Sequence, residues 1–220
     1  APVTASVPYV PFDDLLKEKS ACPIRPAEPM ADLGIQFTSG TTSRPKAVLW
    51  THANAIWGAQ MNAAHMRLNG DDITLIFLPL FHTNAQSYSM LGSLWVGGTM
   101  VIQPRFSASR FWDAARQHKC TWTSLIPFCV KALLTVDPPK DHSFRFWGPA
   151  IRMQAVEDAY GIPTYGWWGM TETITQGIVG DVDHPGPDKC IGRVSPGYEI
   201  EIRRPDGSHI SPGERGQLFI

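Results

Sequence analysis

Short apolar segments alternate with helix-like segments along most of the chain, and this alternation limits the possible folds more than any other feature. The clearest apolar segment is ITLIFLPL at residues 73–80, a continuous run whose length suits a strand buried on both faces. Further strand-like segments are DLGIQFT, AVLWT, TMVIQ, TWTSLI, FRFWG and IPTYGWW. Strands that alternate with helices in this way predict an α/β fold with a doubly wound, mostly parallel sheet and flanking helices.

Helical spacing separates these strands. Apolar residues recur on one helix face over residues 54–68, and Ser107 is the predicted N-cap of a helix that carries Phe111 and Trp112 on one side. Further helices are predicted over residues 12–19, 84–96, 128–136 and 152–160.

The pattern changes near residue 180, where short alternating strands and turns such as Pro-Asp-Gly replace the helices. We therefore predict three parts. Residues 1–30 form an extended leading segment, residues 31–180 form the α/β core, and residues 181–220 form a smaller β-rich segment. With 220 residues, of which 43% are hydrophobic, the chain can bury a substantial core.

Charge and cysteine content exclude several classes of protein. The net charge is −1, from 19 basic and 20 acidic residues without long runs of one sign, so neither nucleic acid nor an acidic membrane surface is an expected partner. No apolar run is long enough to span a membrane. The four cysteines form no C-x-x-C pair, which indicates reduced thiols and predicts a cytoplasmic protein without a zinc site.

A hydroxyl-rich loop, TSGTTSRPKAV at residues 38–48, combines small polar side chains with Gly40, Arg44 and Lys46. Hydroxyls, turn amides and positive charge together suit an anion such as phosphate. The loop is not a Walker loop. Pro45 stands at the position of the second glycine, Ala47 stands at the position of the magnesium-binding hydroxyl, and a strand-like segment follows where a helix is required.

The stretch FTSGTTSRPKAV resembles the phosphate-binding loop of the acyl-adenylate-forming superfamily, which includes acyl-CoA synthetases, luciferases and the adenylation domains of peptide synthetases. It departs from the family pattern at Ser43 and Ala47, where glycine is commoner. The resemblance implies that the phosphates of ATP bind at Thr38, Ser39, Gly40, Thr41, Thr42 and Lys46.

A second stretch, GWWGMTETI at residues 166–174, resembles another motif of the same family, with Trp168 in the usual tyrosine position. By this resemblance Trp168 lies against the adenine, Thr171 contacts the α-phosphate, and Glu172 holds Mg²⁺, so Thr171 and Glu172 are the expected catalytic residues. The other residues expected to line the adenine are Gly148, Pro149, Ala150, Gly169 and Met170.

A third stretch, LPLFHTNAQ at residues 78–86, resembles a family segment that begins a helix beside the acyl site. His82 fits that place, and a catalytic role is a further hypothesis for it, although a lone histidine is more often structural. The expected acyl pocket consists of Trp57, His82, Gly166 and Trp167. The two motifs FTSGTTSRPK and GMTETI bring the chain nearest to acyl-CoA ligases of the carnitine/crotonobetaine type.

The resemblance implies a two-step reaction. A small carboxylic acid attacks the α-phosphorus of ATP with Mg²⁺ bound, pyrophosphate leaves, and the thiol of CoA then displaces AMP from the acyl-adenylate. A close alternative transfers the acyl group to a carrier protein or another acceptor. Family members continue past GQLFI into a domain that carries a catalytic lysine, so we expect this chain to be a central part of a longer enzyme. Without that lysine the chain alone is expected to bind nucleotide but to have little ligase activity.

Overall fold

The computed structural model describes residues 12–17, 19, 24–38, 44–181 and 183–220. Its centre is a parallel sheet of four strands: β3 (Ile73–Ile76), β4 (Thr99–Ile102), β5 (Trp122–Ser124) and β6 (Phe146–Gly148). The strand order is β4-β3-β5-β6, so the chain reverses its direction across the sheet between β3 and β5. The predicted doubly wound parallel sheet is therefore confirmed.

Helices connect the parallel strands. A π-helix (Asn84–Leu91) runs directly into α3 (Gly92–Val96) between β3 and β4, α4 (Ala108–Gln117) joins β4 to β5, and α5 (Pro127–Leu133) joins β5 to β6. The remaining helices are α1 (Phe12–Leu15), α2 (His52–His65) and α6 (Gln154–Tyr160). In the described part of the chain, no helix is long and apolar enough to cross a bilayer.

Two apolar clusters form the core. Leu75, Phe111 and Trp147 belong to the larger cluster, which includes buried residues of α4, α5 and α6. The rings of Trp122 and Phe146 stack with centroids 5.6 Å apart in the smaller cluster, which includes Ala63 of α2. Because successive strand residues point to opposite faces, Phe146 and Trp147 enter different clusters, and both faces of the sheet are covered.

The hydroxyl-rich loop joins the two strands of an antiparallel hairpin, β1 (Asp32–Phe37) and β2 (Ala47–Thr51). At its base, Thr38 N donates to Lys46 O at 2.9 Å and Lys46 N donates to Thr38 Oγ1 at 3.2 Å. The Thr51 side chain then caps α2, because Thr51 Oγ1 accepts from Asn54 N while Asn54 Oδ1 accepts from Thr51 N.

Short antiparallel strands follow the main sheet. β7 (Trp167–Trp168), β8 (Ile178–Val179) and β9 (Arg193–Val194) form one sheet, and β10 (Glu201–Arg203) pairs with β11 (Gln217–Phe219). Gly207 adopts φ +84° in the predicted Pro-Asp-Gly turn. β8 lies before the predicted domain boundary between residues 180 and 181, and its partner β9 lies after it. This boundary stays a prediction, and so does the boundary between residues 30 and 31.

Three of the differences between the secondary structure and the sequence predictions have a local cause. ITLIFLPL is a strand only over Ile73–Ile76, because a turn forms at Pro79, whose carbonyl accepts from His82 N at 3.0 Å. IPTYGWW is a strand only over Trp167–Trp168. The chain changes partners at Gly166, whose carbonyl accepts from Gly180 N, whereas the preceding residues bond to β6.

The third difference concerns Ser107, which precedes α4 but makes no capping hydrogen bond with its side chain. Its Oγ accepts instead from Arg110 Nε at 3.3 Å. The competing guanidinium donor replaces the backbone amide that an N-cap serine usually binds.

The amino-terminal edge of the sheet contains a buried carboxylate. Asp72, which is 3% exposed and directly precedes β3, accepts from Arg145 Nη2 at 2.7 Å and from Thr121 Oγ1 at 2.6 Å. Asn69 N completes its shell at 3.0 Å. Because Thr121 precedes β5 and Arg145 precedes β6, this one side chain ties together the starts of three strands.

Candidate functional site

A cavity of about 350 Å³ opens at the carboxyl ends of β3 and β5, where the strand order reverses. Ligands in open α/β sheets bind at this place because the loops after the two strands diverge and leave a crevice. We call it the switch-point cavity. Its lining comes from segments after β3, after β5, after β6 and from β7 onwards: His82, Thr83, Asn84, Tyr88, Leu125, Ile126, Pro127, Ala150, Trp167, Trp168, Gly169, Met170 and Thr171.

The fold brings together residues from two of the sequence motifs in this cavity. His82, from the segment LPLFHTNAQ, lies on the same lining as Trp167 and Thr171, from GWWGMTETI, although more than eighty positions separate them. The other predicted site residues on this lining are Ala150, Trp168, Gly169 and Met170. Expected adenine and acyl contacts therefore share one continuous surface.

Hydrogen bonds fix the GMTETI segment as a 3-10 turn (Thr171–Thr173). Trp50 Nε1 donates to Thr171 O at 3.0 Å, which fastens β2 of the hairpin to this turn. Met170 N donates to Thr173 Oγ1 at 3.0 Å, and Tyr198 Oη donates to Thr173 O. The stem of the predicted phosphate loop is thereby held beside the predicted α-phosphate contact.

A buried polar network, which sequence reasoning missed, supports the turn from below. Asn62 Nδ2 of α2 donates to Ser87 Oγ of the π-helix at 3.0 Å, Ser87 Oγ donates to Ile174 O, and Thr175 Oγ1 donates to Asn62 Oδ1. Asn62, Ser87 and Thr175 are all 0% exposed. The only signal for them was a polar residue within an otherwise apolar helix face, such as Asn62 between Ala59 and Ala63.

Glu172 lies on the other side of the turn, in a second cavity of about 310 Å³. Its carboxylate is exposed and makes neither a hydrogen bond nor an ion pair within the described ranges. The rest of the lining is Val48, Leu49, Trp50, Asn54, Trp57, Met170, Thr173, Ile174, Tyr198 and Ile220. Glu172 thus shares a cavity with residues of β2, at the base of the hydroxyl-rich loop.

Trp57 is separated from the other residues expected at the acyl pocket. It lines the second cavity and contacts Tyr198 edge-to-face, with ring centroids 5.6 Å apart, whereas His82 and Trp167 line the switch-point cavity. The fold therefore does not gather Trp57 with His82.

Three further predicted residues, Gly148, Pro149 and Gly166, are buried and absent from both linings. A Cβ at Gly148 would lie 1.6 Å from Cη2 of Trp167, and a Cβ at Gly166 would lie 2.3 Å from Cys190 O. The Trp167 ring and the Cys190 carbonyl thus occupy the space that a side chain at Gly148 or Gly166 would need. Gly148 and Gly166 are thus explained by packing, and Gly148 positions the indole that lines the cavity.

Part of the predicted phosphate loop lies outside the described residues, namely Ser39, Gly40, Thr41 and Thr42. Thr38 and Lys46 are described and close the base of the loop, through one backbone hydrogen bond and through the Thr38 hydroxyl, which accepts from Lys46 N. Lys46 is exposed.

The donor set available for a metal is small. In the part of the chain that is described, no three His, Cys, Asp or Glu side chains lie close enough together to form a protein cage. A single free carboxylate such as that of Glu172 still fits Mg²⁺, because this ion usually keeps several waters and takes its other oxygens from substrate phosphates.

Known proteins share the sequence family and the fold of this chain. The family described as AMP-binding enzyme matches residues 4–220. A crotonobetaine/carnitine–CoA ligase of Salmonella arizonae is 34% identical in an alignment 206 residues long, which covers 89% of this chain and 39% of that protein. The chain thus spans about two fifths of the length of that curated relative.

Solved structures of an O-succinylbenzoate coenzyme A synthetase from Bacillus subtilis share the fold at 28% identity. The complex with AMP superposes with a TM-score of 0.80 over 95% of this chain and 56% of that one. The complex with ATP and a magnesium ion superposes with a TM-score of 0.78 over 94% of this chain and 45% of that one. The resemblance seen in the motifs is confirmed, and the chain belongs to the family of AMP-binding enzymes.

Proposed function

We propose that this chain is the nucleotide- and acid-binding part of an ATP-dependent acid–CoA ligase. The observation that carries the proposal is the switch-point cavity. One lining joins the segment after β3 to the Trp168–Thr171 segment, and Trp50 fastens the hairpin stem to that same segment. An acid and the α-phosphate of ATP can therefore meet at one place, which the first step of the reaction requires.

Each group would act through position and charge. Trp168, with Gly169 and Met170, would border the adenine, and the Thr171 hydroxyl would donate to the α-phosphate as negative charge grows on it. The loop from Thr38 to Lys46 would hold the leaving pyrophosphate. Bound Mg²⁺ supplies positive charge to the phosphates, and Glu172 is the carboxylate that would hold it.

The acid would enter the part of the cavity bordered by His82 and Trp167. His82 is exposed at this cavity and makes no side-chain hydrogen bond within the described ranges, so it is free to contact a carboxylate. The names of the relatives support CoA as the final acceptor, because both the Salmonella arizonae and the Bacillus subtilis proteins are named for ligation to CoA. A carrier-protein thiol remains the alternative acceptor.

Two further expectations remain proposals. A cytoplasmic location rests on the cysteines, of which Cys120, Cys129 and Cys190 are unpaired in the structure. The catalytic lysine would come from outside this chain, so the isolated chain should bind ATP without making acyl-CoA at a useful rate.

Acid-dependent release of pyrophosphate tests the proposal. We expect the full-length protein to release pyrophosphate from ATP with at least one acid in a panel of carboxylates, and to form the thioester when CoA is added.

Glu172→Ala should lower the magnesium-dependent rate of pyrophosphate release by about 100-fold or more. Asp113→Ala is the matched control, because Asp113 is an exposed carboxylate that lines neither cavity. Pyrophosphate release at the wild-type rate by Glu172→Ala would refute the magnesium assignment.

A further inference from the structure

One wall of the switch-point cavity carries a hydroxyl that the adenylation step does not use. Tyr88 lies in the π-helix and is 5% exposed, and its ring packs edge-to-face on Trp167 with centroids 6.2 Å apart. In the described part of the chain, no acceptor receives a hydrogen bond from its hydroxyl, although the residue lines the cavity. A phenol in this position is free to donate to a ligand.

The surroundings of Tyr88 keep the hydroxyl next to the cavity. It lies against Gly169, where an added Cβ would come within 2.3 Å of Tyr88 Oη. Gly169 lines the same cavity, so the absence of a side chain there leaves the hydroxyl uncovered. Burial raises the pKa of the Tyr88 phenol well above its usual value, so the group stays protonated and acts as a neutral donor.

Asn84 offers a second neutral donor one helical turn away. Ser124 Oγ donates to Asn84 Oδ1 at 2.5 Å, which orients the carboxamide. The Nδ2 amino group has no acceptor within the described residues, and Asn84 also lines the cavity. Tyr88 and Asn84 therefore present two unpaired donors from one helix.

Among the residues that the structure describes, this lining contains no Asp, Glu, Lys or Arg. A charged group at the far end of an acid would therefore lose its hydration without gaining an ion-pair partner. An uncharged oxygen, in contrast, matches the two donors.

We propose that the acid activated by this protein carries an uncharged hydrogen-bond acceptor on its acyl part, a hydroxyl, ketone or ether oxygen, which Tyr88 and Asn84 bind. Tyr88 is then a specificity-determining residue, because an acid without the acceptor leaves a buried donor unsatisfied. This inference rests on the proposed function only in identifying the ligand as a carboxylic acid.

Direct binding tests the inference independently of turnover. Trp167 and Trp168 line the cavity, so quenching of tryptophan fluorescence in the full-length protein can report dissociation constants for acids. The probes are straight-chain acids, their analogues with a hydroxyl or keto group at successive carbons, and an acid of similar length with a terminal trimethylammonium group. Tyr88→Phe is compared with Tyr165→Phe, a buried tyrosine that lines neither cavity of the candidate site.

We expect at least one hydroxy or keto acid to bind about 10-fold more tightly than its unsubstituted analogue. Tyr88→Phe should reduce that preference to about twofold or less, because it removes the hydrogen bond to the hydroxy or keto acid. It also removes the unsatisfied donor that the unsubstituted acid meets, so this acid should bind the variant no more weakly than it binds the wild type. Tyr165→Phe should keep the full preference.

Three results would overturn the inference. The unsubstituted acids could bind most tightly, or Tyr88→Phe could prefer the hydroxy or keto acid as strongly as the wild type does. The third is that the trimethylammonium acid binds most tightly and binds Tyr88→Phe as tightly as the wild type. The last result would indicate a cation held against aromatic rings, since phenylalanine keeps the ring. Preferential binding of a hydroxy or keto acid without release of pyrophosphate would refute adenylation and support the binding site at Tyr88 and Asn84. Release of pyrophosphate without that preference would refute only the binding site at Tyr88 and Asn84.

Discussion

At the scale of single residues, Ile174 shows how the turn after Glu172 is held. It adopts φ +56°, a conformation that costs a β-branched residue roughly 1–2 kcal/mol. Its carbonyl accepts from Ser87 Oγ, and the next residue, Thr175, is bonded to Asn62. Buried polar contacts offset the backbone strain, and together they fix the turn that carries Thr171 and Glu172.

The stability of the fold should depend on His65 as pH falls. Burial, partly opposed by a hydrogen bond with Gln176, lowers the pKa of this histidine below its ordinary value of 6.5. The unfolded chain then binds the proton more readily than the folded chain, so stability should fall as pH drops below about 6.5 and level off below the folded pKa. Denaturant unfolding between pH 8 and pH 5 measures this change.

His65→Gln should flatten the pH dependence in that interval, because glutamine cannot take up a proton. The exposed His118→Gln is the control and should leave the dependence as it is in the wild type. An equal pH slope in wild type and His65→Gln would contradict the assignment.

The sequence singles out the residues of the GWWGMTETI motif but not the buried residues that support them. Trp168, Gly169, Met170 and Thr171 are adjacent in the chain, so their pattern can be recognised, and they line one cavity as a group. Asn62 and Thr175 are 113 positions apart, and each resembles an ordinary polar residue until the fold joins them.

At the scale of elements, the π-helix determines which side chains reach the cavity. Residues 84–96 were predicted as a helix, and the structure has one, but the segment Asn84–Leu91 is wound as a π-helix, and Gly92 N donates to Ser87 O. This wider winding presents Asn84 and Tyr88 to the cavity while Ser87 reaches Asn62. Apolar spacing predicts a helix but does not distinguish the two windings.

The buried carboxylate at the opposite edge should determine stability and not ligand binding. Arg145→Met leaves Asp72 buried without its main partner, and we expect a loss of about 3 kcal/mol or more in the free energy of unfolding. Arg116→Met is the matched control, because Arg116 pairs with Asp141 on the surface and its loss should cost at most about 1 kcal/mol. Denaturant unfolding measures both values.

ATP binding under conditions where Arg145→Met is still folded should equal that of the wild type. Equal destabilisation by the two substitutions would show that Asp72 does not depend on Arg145. Weaker ATP binding by the folded variant would show that the two edges of the sheet are coupled.

At the scale of the whole molecule, the strand order explains why one cavity serves two motifs. The order β4-β3-β5-β6 makes the loops after β3 and β5 diverge. The cavity between these loops is also lined by Trp167 and Trp168 of β7. The sequence predicts the type of sheet, because alternating strands and helices form a parallel sheet. The apolar spacing does not determine the order of the strands within it. IPTYGWW shows the limit: its composition suits a strand, but its partners change at Gly166 through contacts distant in sequence.

Nucleotide should stabilise the molecule as a whole. A ligand that binds only the folded chain adds about 2.7 kcal/mol at 100 times its dissociation constant, which corresponds to a rise of about 5–10 °C in Tm for a chain of this size. We expect this rise with ATP and Mg²⁺ in thermal unfolding, and a smaller rise when Mg²⁺ is removed. No rise at saturating ATP would contradict a nucleotide site in this chain.

The position of the Asp72–Arg145 pair has an evolutionary consequence. The pair joins the starts of three strands, whereas the switch-point cavity lies beyond their ends. Asn84 and Tyr88, which we propose bind the acid, make none of these contacts, and sites this far apart contribute to stability nearly additively. The same sheet can therefore diversify in substrate while its anchoring carboxylate stays fixed.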